Sequence, residues 1–165
     1  MMEELTVEYP ADADVRLHYG RSLALTGGRP AEAIAQIQIA TTLAPEDPGI
    51  LTLAASLMFD AGELAIAQDY VRRAHARVTL SRFAYGAELV NLAGRLAAAQ
   101  GDRERARPLL HGASEAEPAN CRYAKDFARF LLDEGDWAKA REVVTAALLE
   151  HPNDGELRRI AERET

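Results

Sequence analysis

Gly135-Asp136-Trp137-Ala138-Lys139-Ala140-Arg141-Glu142-Val143-Val144-Thr145-Ala146-Ala147 carries the pattern that decides the fold: a glycine, an alanine five residues later, and another alanine seven residues beyond that. The same spacing appears at Gly101-Ala106-Ala113, Gly62-Ala67-Ala74 and Gly28-Ala33-Ala40. From first alanine to first alanine the steps are 34 (33 to 67), 39 (67 to 106) and 34 (106 to 140) residues. A period of that length marks stacked supersecondary units. Within each unit the glycine ends one helix in a left-handed backbone conformation, and the residues after it start a second helix. The short turn makes the two helices antiparallel neighbours. Alanines seven residues apart lie on nearly the same helix face, where only a small side chain allows close approach.

Composition agrees with helices. The chain has 165 residues, 48% hydrophobic and 27% charged, enough for one domain with its own core. Alanine and leucine recur while aromatics are only 6%, which favours helices packed through small side chains over a sandwich or barrel. A net charge of −7 and a pI near 5.1 argue against nonspecific nucleic-acid binding, which needs a surplus of Lys and Arg on one face. The single cysteine, Cys121, has no zinc-ligand cluster around it, fits a reducing cytoplasm, and reads as a buried, inert thiol. The acidic start Met1-Met2-Glu3-Glu4-Leu5 lacks the basic and apolar segments of a secretory signal, and no apolar run reaches membrane-spanning length. The expectation is a cytoplasmic protein without membrane or nucleic-acid partners.

The first helices read Arg16-Tyr19-Gly20-Leu23, Leu51-Ala54-Ala55-Met58, Val90-Ala93-Gly94-Ala97 and Ala124-Phe127-Ala128-Leu131. The second helices continue Ala33-Ile37, Ala67-Val71, Ala106-Leu110 and Ala140-Val144, with prolines at Pro45, Pro118 and Pro152. In these positions the chain resembles the tetratricopeptide repeat (TPR) family over about residues 10–152. The resemblance implies an all-α fold, a right-handed α-solenoid of four helix-turn-helix repeats with a C-terminal capping helix. A single domain over 1–165 is expected, with repeats at about 11–45, 48–79, 82–118 and 119–152 and the capping helix at about 153–164.

Departures from the family pattern are specific. No unit has the first-helix tryptophan, and Thr79 stands where a terminal proline is expected. Five extra residues around Val78-Thr79-Leu80-Ser81-Arg82-Phe83 imply either a longer helix capped near Ser81 or a bulging linker. Pro108 falls inside a second helix and should remove one backbone hydrogen bond or kink it. After Pro152, the last helix should be capped by Asn153 or Asp154 and bury Leu157, Ile160 and Ala161, as a solubilising end cap does. At the other end, Leu5-Thr6-Val7-Glu8-Tyr9-Pro10 reads as the last turns of a preceding second helix, from a longer array or buried against a second copy.

In this family the first helices line the concave face. Register along each one then implies the inward residues: Asp14, Leu17, His18 and Arg21; Thr52, Leu53, Ser56, Phe59 and Asp60; Glu88, Asn91, Leu92 and Arg95; and Arg122, Lys125, Asp126, Arg129 and Asp133. The implied peptide-binding set is Leu17, Arg21, Leu53, Ser56, Phe59, Asn91, Leu92, Arg95, Arg122, Lys125 and Arg129. Arg21, Arg95 and Arg129 occupy equivalent places. Two uses stay open for them: a ladder reading carboxylates of an acidic or C-terminal peptide, or pairing with Glu88, Asp126 and their neighbours within the protein. Relatives that grip chaperone C-termini use Lys, Asn and Arg on three successive first helices. Here the matching places hold Leu17 and Arg21, then Leu53, then Glu88 and Leu92, so that activity does not carry over. Leu53, Phe59 and Leu92 imply a mixed groove of apolar anchors and charges.

Nothing in the sequence suggests catalysis: there is no phosphate loop, nucleophile elbow or paired histidines with a carboxylate. His18, His75, His111 and His151 are scattered and read as surface or partly packed, not as metal ligands. Asp102-Arg103-Glu104-Arg105 and Arg72-Arg73 read as solvated helix charges. The expected function is a non-enzymatic, cofactor-free scaffold or chaperone-like adaptor that holds a protein or peptide. The alternatives are self-association through the Leu5-Val7-Tyr9 edge, or the repeat portion of a larger enzyme or secretion assembly.

Overall fold

The computed structural model describes residues 2–78 and 86–162. Among them every regular element is a helix: α1 (Met2–Glu8), α2 (Ala13–Thr26), α3 (Pro30–Leu43), α4 (Pro48–Asp60), α5 (Leu64–Val78), α6 (Gly86–Ala99), α7 (Arg103–Ala116), α8 (Cys121–Asp133), α9 (Trp137–Glu150) and α10 (Gly155–Ala161). The predicted pairs are α2–α3, α4–α5, α6–α7 and α8–α9, and α10 is the cap. The expected helix extension or bulge around Ser81 lies at 79–85, outside the described residues.

The chain forms two compact units, Met1–Leu89 and Val90–Thr165, divided within α6. In the first, α2 packs on α3, α4 on α5, α3 on α4, and α1 on α2. In the second, α7 packs on α8, α8 on α9, and α10 on α9.

Local chemistry sets the turns. At Gly62, Gly101 and Gly135 the backbone is left-handed (φ 83°, 78° and 78°). Each glycine N–H and the following N–H bond back to the helix end: Gly135 to the Leu132 carbonyl at 3.0 Å, and Asp136 to that of Leu131 at 2.8 Å. This pair of bonds satisfies two carbonyls that a helix end would leave bare. Asp136 then caps α9, its carboxylate accepting the Lys139 amide at 3.2 Å, and Asp102 caps α7 in the same way through Arg105. The first pair departs from the expected pattern. The left-handed residue there is Gly27 (φ 68°) and not Gly28, and its N–H reaches the Leu23 carbonyl at 3.1 Å. The additional glycine lengthens the turn, so the simpler single-bond ending replaces the paired one.

All eight repeat alanines (Ala33, Ala40, Ala67, Ala74, Ala106, Ala113, Ala140 and Ala147) are buried, none more than 6% exposed. The small positions of the first helices serve the same close approach. A Cβ at Gly20 would lie 2.8 Å from Ile37 Cγ1 and 3.0 Å from the Ala33 carbonyl oxygen, and one at Gly94 would lie 2.8 Å from Leu110 Cγ. Ala55 and Ala128 occupy the equivalent places fully buried.

Helix α7 runs through Pro108, which has no N–H to give to the carbonyl of Glu104. At the C-terminal end Asp154, and not Asn153, caps α10, accepting the amides of Glu156 and Leu157 at 3.0 Å. Leu157 and Ile160 close the core formed with Ala124, Ala128, Val144 and Ala147. Two expectations are corrected. Cys121 is half-buried, its Sγ 3.8 Å from Asp154 Oδ2. Arg73 is not simply solvated: it lies 5.5 Å over the Tyr70 ring and donates to the Pro45 carbonyl at 2.9 Å.

Candidate peptide-binding site

In the first unit, α2, the start of α4 and Glu88 of α6 line a cavity of about 480 Å³. Its lining is Asp14, Leu17, His18, Arg21, Asp47, Gly49, Ile50, Leu53 and Glu88. Leu17, Arg21 and Leu53 of the implied set therefore meet at one place. Their roles differ with burial: Leu17 is 2% exposed and forms the floor, Leu53 is half-buried, and Arg21 is exposed. Among the described residues no hydrogen bond or ion pair of the Arg21 side chain is found. Asp47 is less available, since its carboxylate accepts the amides of Gly49 and Ile50 at 2.8 and 3.0 Å as the cap of α4. Asp47, Gly49 and Ile50 were not expected at the site. The Asp47-Pro48 pair, a helix-start signal shortly before Leu53, is the sequence feature that points to them. Ser56 is buried and Phe59 half-buried, and neither lines this cavity.

In the second unit the implied residues form an ion-pair network within the protein. Asn91 is 1% exposed and its Nδ2 donates to Asp126 Oδ2 at 2.8 Å. Arg95 Nε lies 3.8 Å from the same oxygen, and Arg129 Nη1 lies 3.2 Å from Asp126 Oδ1. Arg129 Nε also donates to Glu156 Oε1 at 2.9 Å, and Lys125 Nζ lies 2.6 Å from Asp154 Oδ2. The Lys125 hydrogen bond and the amides of α10 hold the Asp154 carboxyl down at about 2, and the same bond raises Lys125. Leu92 is 1% exposed and belongs to the core, while Arg122 is exposed. Among the described residues no group of three or more His, Cys, Asp or Glu could hold a metal ion, and no helix is long and apolar enough to cross a membrane.

Residues 97–163 match the family model described as tetratricopeptide repeat. The chain is similar in fold to YrrB, described as a TPR protein with an unusual peptide-binding site: 17% identity and a TM-score of 0.65 over 98% of this chain and 80% of that one. Against MamA the identity is 17% and the TM-score 0.66, over 94% of this chain and 87% of the other. A chain of the APC/C hetero-tetramer Cut9–Hcn1 gives 15% identity and a TM-score of 0.81, over 98% of this chain but 31% of that one. No curated protein matches the chain. Over residues 97–163 the chain carries tetratricopeptide-repeat sequence, and the helical fold of the described residues is like that of solved TPR structures.

Proposed function

We propose that the chain is a non-catalytic cytoplasmic adaptor that holds a peptide segment against α2 and α4. The fold supports this reading, because TPR structures serve as protein-interaction scaffolds. The observation that carries it is the first-unit cavity, where the exposed Arg21 guanidinium stands beside the half-buried Leu53 over a Leu17 floor. A guanidinium takes a carboxylate and the leucine takes an apolar side chain. Asp14 and Glu88 on the same rim disfavour a run of acids, so the occupant is a segment ending in one carboxylate, such as a free C-terminus. Arg95, Lys125 and Arg129 already have carboxylate partners, and a ligand would have to displace Asp126, Asp154 or Glu156 to reach them. Affinity is modest, as for any small interface.

A pair of synthetic peptides with a penultimate leucine, one with a free C-terminal carboxylate and one amidated, tests this by NMR titration. The free acid should shift the amides of Arg21 and Leu53, and Arg21→Glu should remove the response. Equal binding of both peptides, or no response in this cavity, overturns the reading.

A second reading, self-association through the amino-terminal edge, is favoured by the exposure of Val7 (79%) and Tyr9 (49%). Light scattering at several concentrations should show dissociation on V7D/Y9D. A concentration-independent monomer mass for the parent chain excludes this reading.

A further inference from the structure

The two units treat the seam between successive second helices differently, and the residues responsible are related by one fixed step. Adding 73 to Ala33 and Ala67 gives Ala106 and Ala140, so α3 corresponds to α7 and α5 to α9. Between α3 and α5 the seam is filled. The hydroxyls of Thr41 and Tyr70 hydrogen-bond at 3.0 Å, Arg73 covers the Tyr70 ring and donates to the Pro45 carbonyl, and Arg77 pairs with Glu46. Tyr70 is 6% exposed.

At the equivalent places between α7 and α9 stand Ser114 for Thr41, Val143 for Tyr70, Ala146 for Arg73 and Glu150 for Arg77. The aromatic ring and both guanidiniums are missing, and a cavity of about 410 Å³ opens there, lined by Ser114, Pro118, Val143 and Ala146. A neighbouring cavity of about 630 Å³ shares His111, Lys139 and Glu142 with it and reaches Pro108 and Phe127, so the opening is a groove along the seam. Its rim near Ala146 is acidic: Glu115, Glu142 and Glu150 face Lys139, which lies 2.9 Å from Glu142, and His111, whose Nδ1 lies 3.5 Å from Glu115 Oε2.

From this we infer that the α7–α9 seam is a second docking surface, distinct from the first-helix site, for a basic segment of another protein that carries an aromatic side chain. Such a segment restores from outside what the α3–α5 seam has built in. The ring lies over Val143 beside the Ser114 hydroxyl, and the cation sits among Glu115, Glu142 and Glu150. Charge complementarity selects the partner: cations are attracted to this rim, and an acidic segment is repelled. An aromatic anchor in a pocket with charged neighbours is the usual centre of a small interface.

The probe is a short peptide, acetylated and amidated so that it offers no terminal charge, with one tyrosine flanked by arginines. The control replaces the arginines with glutamates. In NMR titrations the arginine peptide should shift the amides of Ser114, Glu115, Val143 and Ala146 and bind at least about tenfold more tightly than the control. V143Y/A146R, which grafts the first unit's filling residues, should weaken binding by about tenfold or more with an unchanged helical circular dichroism spectrum. If that variant misfolds, E115K/E150K decides, because both positions are exposed. It should weaken the arginine peptide and strengthen the control. Equal binding of the two peptides, shifts outside α7 and α9, or a folded V143Y/A146R or E115K/E150K that binds like the parent would overturn the proposal. Arg21→Glu should leave this binding unchanged, which separates it from the first-helix site.

Discussion

Lys125 Nζ lies 2.6 Å from Asp154 Oδ2, which ties the first helix of the last pair to the residue that caps the terminal helix. The other oxygen of that carboxylate accepts the amides of Glu156 and Leu157, so a single ionised group holds two elements together. Its carboxyl titrates at about 2 in the folded protein against 3.8 when free. A depressed carboxylate stabilises the fold fully above its free value, and that contribution is lost as pH falls through the folded value. Acid unfolding followed by circular dichroism should therefore show a loss of C-terminal stability from about pH 4 down to about pH 2. Asp154→Asn keeps a capping side chain and should flatten the slope in that window. Asp154→Ala should in addition cost about 1 kcal/mol at neutral pH for the lost cap. An unchanged acid profile in Asp154→Asn contradicts the assignment.

The terminal helix stabilises the second unit mainly through burial. Leu157 is 0% exposed and packs into the core with Val144 and Ala147. Leu157→Ala should lower the unfolding free energy in urea by about 2–5 kcal/mol, the range for a buried leucine that leaves a cavity. A loss below ~1 kcal/mol would mean that α10 is docked only marginally.

Close approach at the repeat alanines predicts overpacking. Ala67 and Ala140 have no exposed surface. Ala67→Leu or Ala140→Leu should force neighbouring helices apart and destabilise by about 1–3 kcal/mol, seen as a lower thermal midpoint.

The first turn offers a test between adjacent glycines. A Cβ at either Gly27 or Gly28 meets no atom within 4 Å, so packing does not distinguish them. Only Gly27 has positive φ. Gly27→Ala should cost about 1–2 kcal/mol, the penalty of a left-handed Cβ-bearing residue. Gly28→Ala has no such penalty and should be neutral or stabilising by about 0.4–1 kcal/mol. Equal losses in both variants would contradict the turn geometry.

Much of the fold was legible because its signals are local. Gly101-Asp102 and Gly135-Asp136 each encode a helix end and the next helix start within two residues. The alanines seven apart need only helical geometry to share a face. The first turn was misplaced by one residue because Gly27 and Gly28 are chemically equivalent in sequence, and only the backbone path distinguishes them.

The site was less legible. Register along the first helices named Leu17, Arg21 and Leu53, which do meet around one cavity, and it also named Leu92, which is core. Register gives the direction in which a side chain leaves its helix but not what the next helix places over it.

The sequence by itself determined the repeat, the turn glycines, the small positions and the capping aspartates, because each depends on neighbours within one or two helical turns. Tertiary structure decided which cations are available. Asp126 engages Arg95 on another helix, and Glu156 engages Arg129 from 27 residues further along the chain. It also decided that Tyr70 and Arg73 close one seam while Val143 and Ala146 leave its counterpart open. Those outcomes depend on side-chain volume and charge meeting across separate helices, a pairing that no local spacing encodes.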